Sequence, residues 1–66
     1  MSSSYNLYVT WYVIWFDYIV KRYVIYALPN ETQALEDKRW IQDRPRSHFV
    51  TITTDQRVAT FFSEIH

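Results

Sequence analysis

The sequence contains no glycine and no cysteine. At average usage a chain of this length would hold about four or five glycines. Glycine allows the close backbone approach and the positive φ angles on which phosphate-binding loops, dinucleotide fingerprints and nucleophile elbows depend, so nucleotide-dependent enzymes are excluded. Without cysteine, neither a disulfide nor a thiolate metal site stabilises the fold. We therefore predict that the protein is not an enzyme and that it has no cofactor and no metal.

The chain also lacks an excess of either charge, with seven basic and seven acidic residues. Nucleic-acid binders usually carry a basic excess, because phosphate contacts supply most of their affinity, so neutrality disfavours that class. No positively charged leader with a cleavage site is evident, which predicts a cytoplasmic location with the membrane as the alternative. We expect one domain over residues 1–66, with a flexible tail at residues 1–4.

Aromatic side chains are abundant, with six Tyr, four Phe and three Trp among 66 residues. Aromatic residues bury the most area per residue and also dominate the binding energy of protein interfaces. So short a chain does not bury all of them, which predicts an exposed aromatic surface that binds a partner. The residues predicted to form it are Tyr8, Tyr12, Tyr23, Tyr26, Trp40, Phe49 and Phe62.

Residues 7–28, "LYVTWYVIWFDYIVKRYVIYAL", are compatible with two structures. With a period of two, the odd-numbered residues from Leu7 to Trp15 share an apolar face, as in a half-buried strand. With a period of 3.6, the polar residues gather on one side of a helix, but a membrane-spanning helix would hold Asp17 near its middle at a cost of roughly 2.5–3.5 kcal/mol. Eight of the 22 residues are Val, Ile or Thr, so we favour two strands, although the turn near Asp17 lacks the residues of a tight hairpin.

The rest of the chain predicts a helix and a second hairpin. Asn30 or Thr32 is a suitable N-cap, and Pro45 ends the helix by about Asp43. The segments "HFVTIT" and "RVATFF" are rich in β-branched and aromatic residues, and "TDQR" between them suits a turn. The pairs expected across this hairpin are Val50 with Phe61, Ile52 with Ala59 and Phe49 with Phe62.

Two sites built on histidine are weak candidates. His48 would lie opposite Ser63 across the hairpin, but no oxyanion hole or orienting acid accompanies the pair. A metal site made of His48, Glu64 and His66 has no distinctive spacing. We expect a surface histidine rather than a catalytic or metal-binding one.

A basic candidate site consists of Arg39, Arg44 and Arg46, which could contact phosphates. Arginines near aromatic residues suit single-stranded nucleic acid, because bases stack on the rings and phosphates attract the charge. Acidic residues lie between these arginines and weaken the local field. Binding of single-stranded nucleic acid is therefore the third choice.

The sequence as a whole predicts an α+β domain of order ββαββ, with one helix covering an antiparallel sheet. The alternative fold is a long N-terminal helix, possibly spanning a membrane, followed by a hairpin. The first choice of function is a small interaction module that binds a protein through an aromatic face or a sheet edge, with self-association as a homodimer also considered. Such proteins often serve as inhibitors or accessory factors, including in phages. A single-pass subunit of a membrane complex is the second choice.

Overall fold

The computed structural model describes residues 9–65, which form three strands and two helices in the order ββαβα. The elements are β1 (Trp11–Asp17), β2 (Arg22–Leu28), α1 (Glu31–Asp43), β3 (Ser47–Thr53) and α2 (Gln56–Glu64). The predicted α+β class, the antiparallel sheet and the helix that covers it are confirmed. The predicted tail at residues 1–4 lies outside the described residues, as does Tyr8.

The chain reverses at residues 18–21, so residues 11–28 form a hairpin and the long-helix alternative is wrong. β1 and β2 pair in an unbroken antiparallel register from Trp11 with Leu28 to Asp17 with Arg22. Among residues 9–65, no helix is long and apolar enough to cross a membrane.

A four-residue loop, residues 18–21, joins the two strands. The Asp17 carboxylate accepts a hydrogen bond from the Ile19 backbone N–H at 2.8 Å, and the Lys21 N–H donates to the Asp17 carbonyl at 2.7 Å. Lys21 adopts positive φ (60°), a conformation that glycine usually provides. The residues near Asp17 do not suit a tight two-residue turn. An Asp at the start of a longer loop stabilises the chain reversal equally well.

The sheet has the strand order β2-β1-β3, so β1 is central, and both of its faces are covered. On the odd-numbered face, Val13 and Trp15 pack against Ala34 and Ile41 of α1. The residue between them, Ile14, points to the opposite face and is also fully buried. Three consecutive buried residues therefore require a cover on each side of the sheet.

The second cover is α2, which replaces the predicted second strand of the C-terminal hairpin. Residues 57–62 are helical, so the pairs of Val50 with Phe61 and Ile52 with Ala59 are wrong, as is the pairing of Phe49 with Phe62. Asp55 is the N-cap of this helix, with its carboxylate accepting from the Arg57 N–H at 2.9 Å. The sequence interpretation assigned Asp55 to a turn, although an acidic residue before a helix fits equally well.

The apolar side of α2 lies against the even-numbered face of the sheet. Ala59 is buried and Val58 half-buried, and the Phe62 ring lies 5.0 Å from that of Tyr23, which pairs with Phe16 in the sheet. This helical spacing of apolar residues explains why a β-rich composition still forms a helix: the exposed face of the sheet supplies the packing that local propensity does not.

The β3 strand carries a bulge that the sequence does not predict. Trp15 pairs with Phe49 and Ile14 with Thr51, so Val50 is an extra residue. The bulge changes which side chains share a face. Phe49 and Ile52, expected on opposite faces, consequently both pack against the core under α1.

The α1 prediction is confirmed at both ends. Asn30 is the N-cap and its side-chain oxygen accepts from the Gln33 N–H at 2.9 Å, and the helix ends at Asp43, two residues before Pro45. Ala34 and Ile41 of this helix are buried.

Replacing Lys21 with glycine tests the strain in the hairpin loop. A residue with a Cβ at positive φ costs about 1–2 kcal/mol, so we expect Lys21→Gly to raise the free energy of unfolding by about 0.5–1 kcal/mol after the added flexibility of the unfolded chain is deducted. Arg39→Gly, at an exposed position inside α1, should lower it by about 1 kcal/mol. Urea unfolding of both variants measures the difference, and equal signs would contradict the loop conformation.

Candidate functional site

A row of aromatic rings lies between α1 and β2 on the odd-numbered face of the sheet. Trp15 is its buried centre, with the Tyr26 ring 4.5 Å away and the Trp40 ring 6.4 Å away, both edge to face. The Arg44 guanidinium lies over the Trp40 ring at 4.5 Å. Tyr26 and Trp40 remain 42% and 48% exposed, so the row, here called the Tyr26–Trp40 surface, is open to solvent.

The position of α1 leaves this surface uncovered. The helix packs mainly over β1 and β3 and only marginally over β2. Lys38 on one flank of the helix lies over the Phe49 ring of β3 at 5.2 Å. Trp40, two positions further along, points to the other flank and toward β2, because successive helical residues are rotated by about 100°.

The buried centre of the row carries an unpaired donor. Trp15 Nε1 has no hydrogen-bond partner among residues 9–65. An unpaired buried donor costs about 1–3 kcal/mol, which the burial of the large indole and its two edge-to-face contacts offset. The indole is retained here for its shape and area, and it supports Tyr26 and Trp40 from below.

A groove of about 460 Å³ opens on the other face of the sheet, between β2 and α2. Its lining residues are Tyr12, Arg22, Tyr23, Ile25, Gln56, Ala59, Thr60, Ser63 and Ile65. Arg22 is the only charged residue among these lining residues.

The outer edge of β2 lies between these two features. Within residues 9–65, β2 pairs only with β1, and its other backbone edge has no partner strand. The β2 residues Tyr23–Leu28 contain no charged residue and no proline. These are the features that natural edge strands use to prevent pairing with another chain, and their absence leaves the β2 edge competent to pair.

The predicted aromatic residues divide between the two faces of the sheet. Tyr26 and Trp40 lie together on the α1 side, and Phe49 is half-buried on that side under Lys38. Tyr12, Tyr23 and Phe62 lie on the α2 side. Only the pair Tyr26 and Trp40 therefore combines exposure with a shared buried support.

The three predicted basic residues differ in their local surroundings. Arg39 is exposed on α1, Arg44 stacks on Trp40, and Arg46 lies in the loop before β3 at positive φ (65°).

The histidine candidates find no support in the described part of the chain. Ser63 lies in α2, where its hydroxyl donates to the Thr60 carbonyl at 2.8 Å, so the predicted strand pairing with His48 is wrong. No cluster of three metal-ligating residues occurs among residues 9–65. His66, which belongs to the candidate metal site with His48 and Glu64, lies outside the described residues.

The apolar exposure of the loop at residues 18–21 is what sequence reasoning missed. Tyr18, Ile19 and Val20 are all more than half exposed. The sequence interpretation locates a turn near Asp17 but does not predict that the apolar triplet between Asp17 and Lys21 forms an exposed loop.

No known protein family, curated protein or solved structure matches this chain.

The Asp55 cap gives α2 a defined pH dependence. The Arg57 side chain donates two hydrogen bonds to the Asp55 carboxylate, at 3.1 and 3.0 Å, and lowers the pKa of Asp55 below its ordinary value of 3.8. A carboxyl whose pKa is lower in the folded state stabilises the fold above pH 3.8, and this contribution is lost as the pH falls through the folded pKa.

We expect the urea midpoint of the wild-type protein to fall more steeply on acidification below about pH 4 than that of Asp55→Asn. Asparagine is an equally good N-cap but does not titrate, so it isolates the charge. Parallel curves for the two proteins would show that the ion pair contributes nothing.

Proposed function

We propose that this chain is a non-enzymatic interaction module that binds another protein through the edge of β2 and the adjoining Tyr26–Trp40 surface. The observation that carries this proposal is the outer edge of β2, which has no partner strand within residues 9–65 and no charged residue from Tyr23 to Leu28, with two half-exposed aromatic rings beside it. A strand of the partner would extend the sheet, with main-chain hydrogen bonds giving affinity and side-chain contacts giving specificity.

The contrast between the two edges of the sheet supports β2 as the binding edge. β3, on the opposite side, contains the bulge at Val50, and a bulge twists an edge away from regular pairing. β2 pairs with β1 one to one over seven residues and has no such irregularity. A regular strand of this length is a suitable template for one more antiparallel or parallel strand.

The composition of the Tyr26–Trp40 surface also favours a protein partner. Trp, Tyr and Arg are the residues most enriched among interface positions that dominate binding energy, and here Tyr26, Trp40 and Arg44 adjoin. Their mutual contacts fix the side chains before binding, which reduces the entropy lost on association.

The role within a cell remains the one that the sequence suggests, an inhibitor or accessory factor in the cytoplasm. A domain with one binding edge and no catalytic groups acts by occupying a surface of its partner. A homodimer formed by two β2 edges is the alternative use of the same surface, and it is separated from the main proposal by the experiment below.

Pull-down from native lysate with the wild-type chain as bait, followed by affinity measurement with the purified partner, tests the proposal. We expect Tyr26→Ala and Trp40→Ala each to weaken binding by about tenfold or more, since central aromatic residues carry most of the energy of an interface. Leu35→Ala and Phe61→Ala, which remove exposed apolar side chains elsewhere, are the matched controls and should have little effect.

Amide hydrogen exchange then locates the binding edge. Partner binding should slow exchange in β2 and leave β3 unchanged, because a new strand would satisfy the free N–H groups of β2. Three results would contradict the proposal: protection of β3 instead, equal losses in the control variants, or retention of nuclease-sensitive nucleic acid in place of a protein. A dimer of the free chain that dissociates on Tyr26→Ala would assign the edge to a second copy.

A further inference from the structure

The tip of the β1–β2 hairpin exposes three consecutive apolar side chains. Tyr18, Ile19 and Val20 are 54%, 63% and 55% exposed, although they belong to a four-residue loop where polar residues are usual. In the described part of the chain only four large hydrophobic residues are more than half exposed, and three of them adjoin here. Contiguous apolar exposure of this kind marks an interaction site or a membrane contact.

The tip is held in one conformation by hydrogen bonds. The Asp17 carboxylate accepts from the Ile19 N–H at 2.8 Å and from the Val20 N–H at 3.4 Å. The Tyr18 N–H donates to the Arg46 carbonyl at 2.9 Å, which joins this loop to the loop before β3. Because the loop is ordered already, the exposed side chains are presented without a large entropic cost on binding.

Basic residues surround the apolar tip. Lys21 and Arg22 follow it directly, and the Tyr18–Arg46 hydrogen bond brings Arg46 beside it. With Arg44, which precedes β3 in the same loop, four of the seven basic residues of the chain lie at this end of the sheet. The acidic residues at this end are Asp17, Asp43 and Glu64, at the ends of β1, α1 and α2.

The position of the Asp17 carboxylate affects the electrostatic potential at the tip. Its carboxylate is half-buried and turned toward the backbone of the loop. Asp43 and Glu64 are the last residues of α1 and α2, outside the loop itself. Lys21 adjoins the apolar side chains in sequence, the Arg46 carbonyl accepts the Tyr18 N–H, and both residues are exposed at positive φ.

We propose that this tip is a membrane-contact site that inserts Tyr18, Ile19 and Val20 into the headgroup region of an anionic phospholipid bilayer. Stable attachment to a membrane surface takes two signals, an apolar anchor and a basic cluster, and the tip has both. Tyrosine favours the interface between headgroups and acyl chains, and the lysine and arginines pair with lipid phosphates. This contact is independent of the β2 edge and leaves it free for a protein partner.

The features of the tip favour a bilayer over another macromolecule. Two of the three tip side chains, Ile19 and Val20, are aliphatic and give nucleic-acid bases no ring on which to stack. A protein partner would need a pocket for a protruding turn ringed by cations, whereas the anionic headgroup layer above an apolar interior matches that arrangement on any part of its surface. An anionic bilayer thus complements both the basic charge and the protruding apolar side chains of the tip.

Co-sedimentation with vesicles tests the proposal directly. Wild-type protein is expected to bind phosphatidylcholine vesicles containing roughly 30% phosphatidylserine, and to bind pure phosphatidylcholine vesicles at least about tenfold more weakly. Raising the salt concentration should release it, because the basic residues act through screened charge.

Paired variants separate the two signals. Ile19→Ser with Val20→Ser should lower the partition coefficient by about tenfold or more through loss of buried apolar area. Lys21→Gln with Arg46→Gln should lower it by about twentyfold or more on anionic vesicles and have little effect on neutral ones, at about fivefold per charge. Phe61→Ser and Arg57→Gln are the controls, since both residues are highly exposed but lie on α2, and neither should change binding.

Circular dichroism of each variant confirms that the fold is retained before vesicles are added. Absence of wild-type binding at low salt overturns the proposal. Equal binding to neutral vesicles, or equal losses in the control variants, overturns it as well. If the tip variants instead abolish binding to a protein partner or a dimer of the free chain, the tip is a protein interface and the membrane assignment is wrong.

Discussion

The packing around the central strand decides the rest of this structure. Val13, Ile14 and Trp15 are consecutive and all buried, so both faces of β1 need an apolar cover. α1 covers one face and α2 the other, and the described part of the chain has no disulfide and no further helix or strand. Within residues 9–65, each of the two outer strands is therefore paired on one side only. The exposed edge is a consequence of how few elements this core can recruit.

The small number of helices and strands also leaves the Tyr26–Trp40 surface exposed. α1 lies mainly over β1 and β3, where Ala34 allows it to approach the sheet closely. The odd-numbered side of β2 is left with Tyr26 beside Trp40, and both rings rest on Trp15. Large aromatic rings at the rim of a small core stabilise it by partial burial while they remain available to a partner. If the surface binds a partner as proposed, stability and binding depend on the same side chains, and losing either ring should affect both.

Sequence reasoning succeeded where the local signal and the tertiary requirement agree. Asn30 and Pro45 delimit α1, and the alternation through Trp11, Val13 and Trp15 identifies β1. It failed for α2, because the β-branched and aromatic residues of residues 57–62 favour a strand locally and become helical only against the even-numbered face of the sheet. The bulge at Val50 was equally hidden, since it reverses the alternation that the prediction used. The sequence predicts that aromatic residues form the candidate site. It does not predict their division between the two faces of the sheet, because that division depends on α2.

The chain has no glycine to place where the backbone needs positive φ. Within residues 9–65 two residues adopt positive φ, and both are long basic residues, Lys21 and Arg46, at a cost of about 1–2 kcal/mol each. Glycine or asparagine would satisfy the backbone better, so the backbone does not explain the choice of side chain. The two residues flank the Tyr18–Arg46 hydrogen bond that joins their loops, beside the exposed apolar triplet. Long basic side chains at two strained, exposed positions favour a requirement for their charge. The conformational cost and the apolar exposure therefore both support the proposal that this end of the sheet is a contact surface.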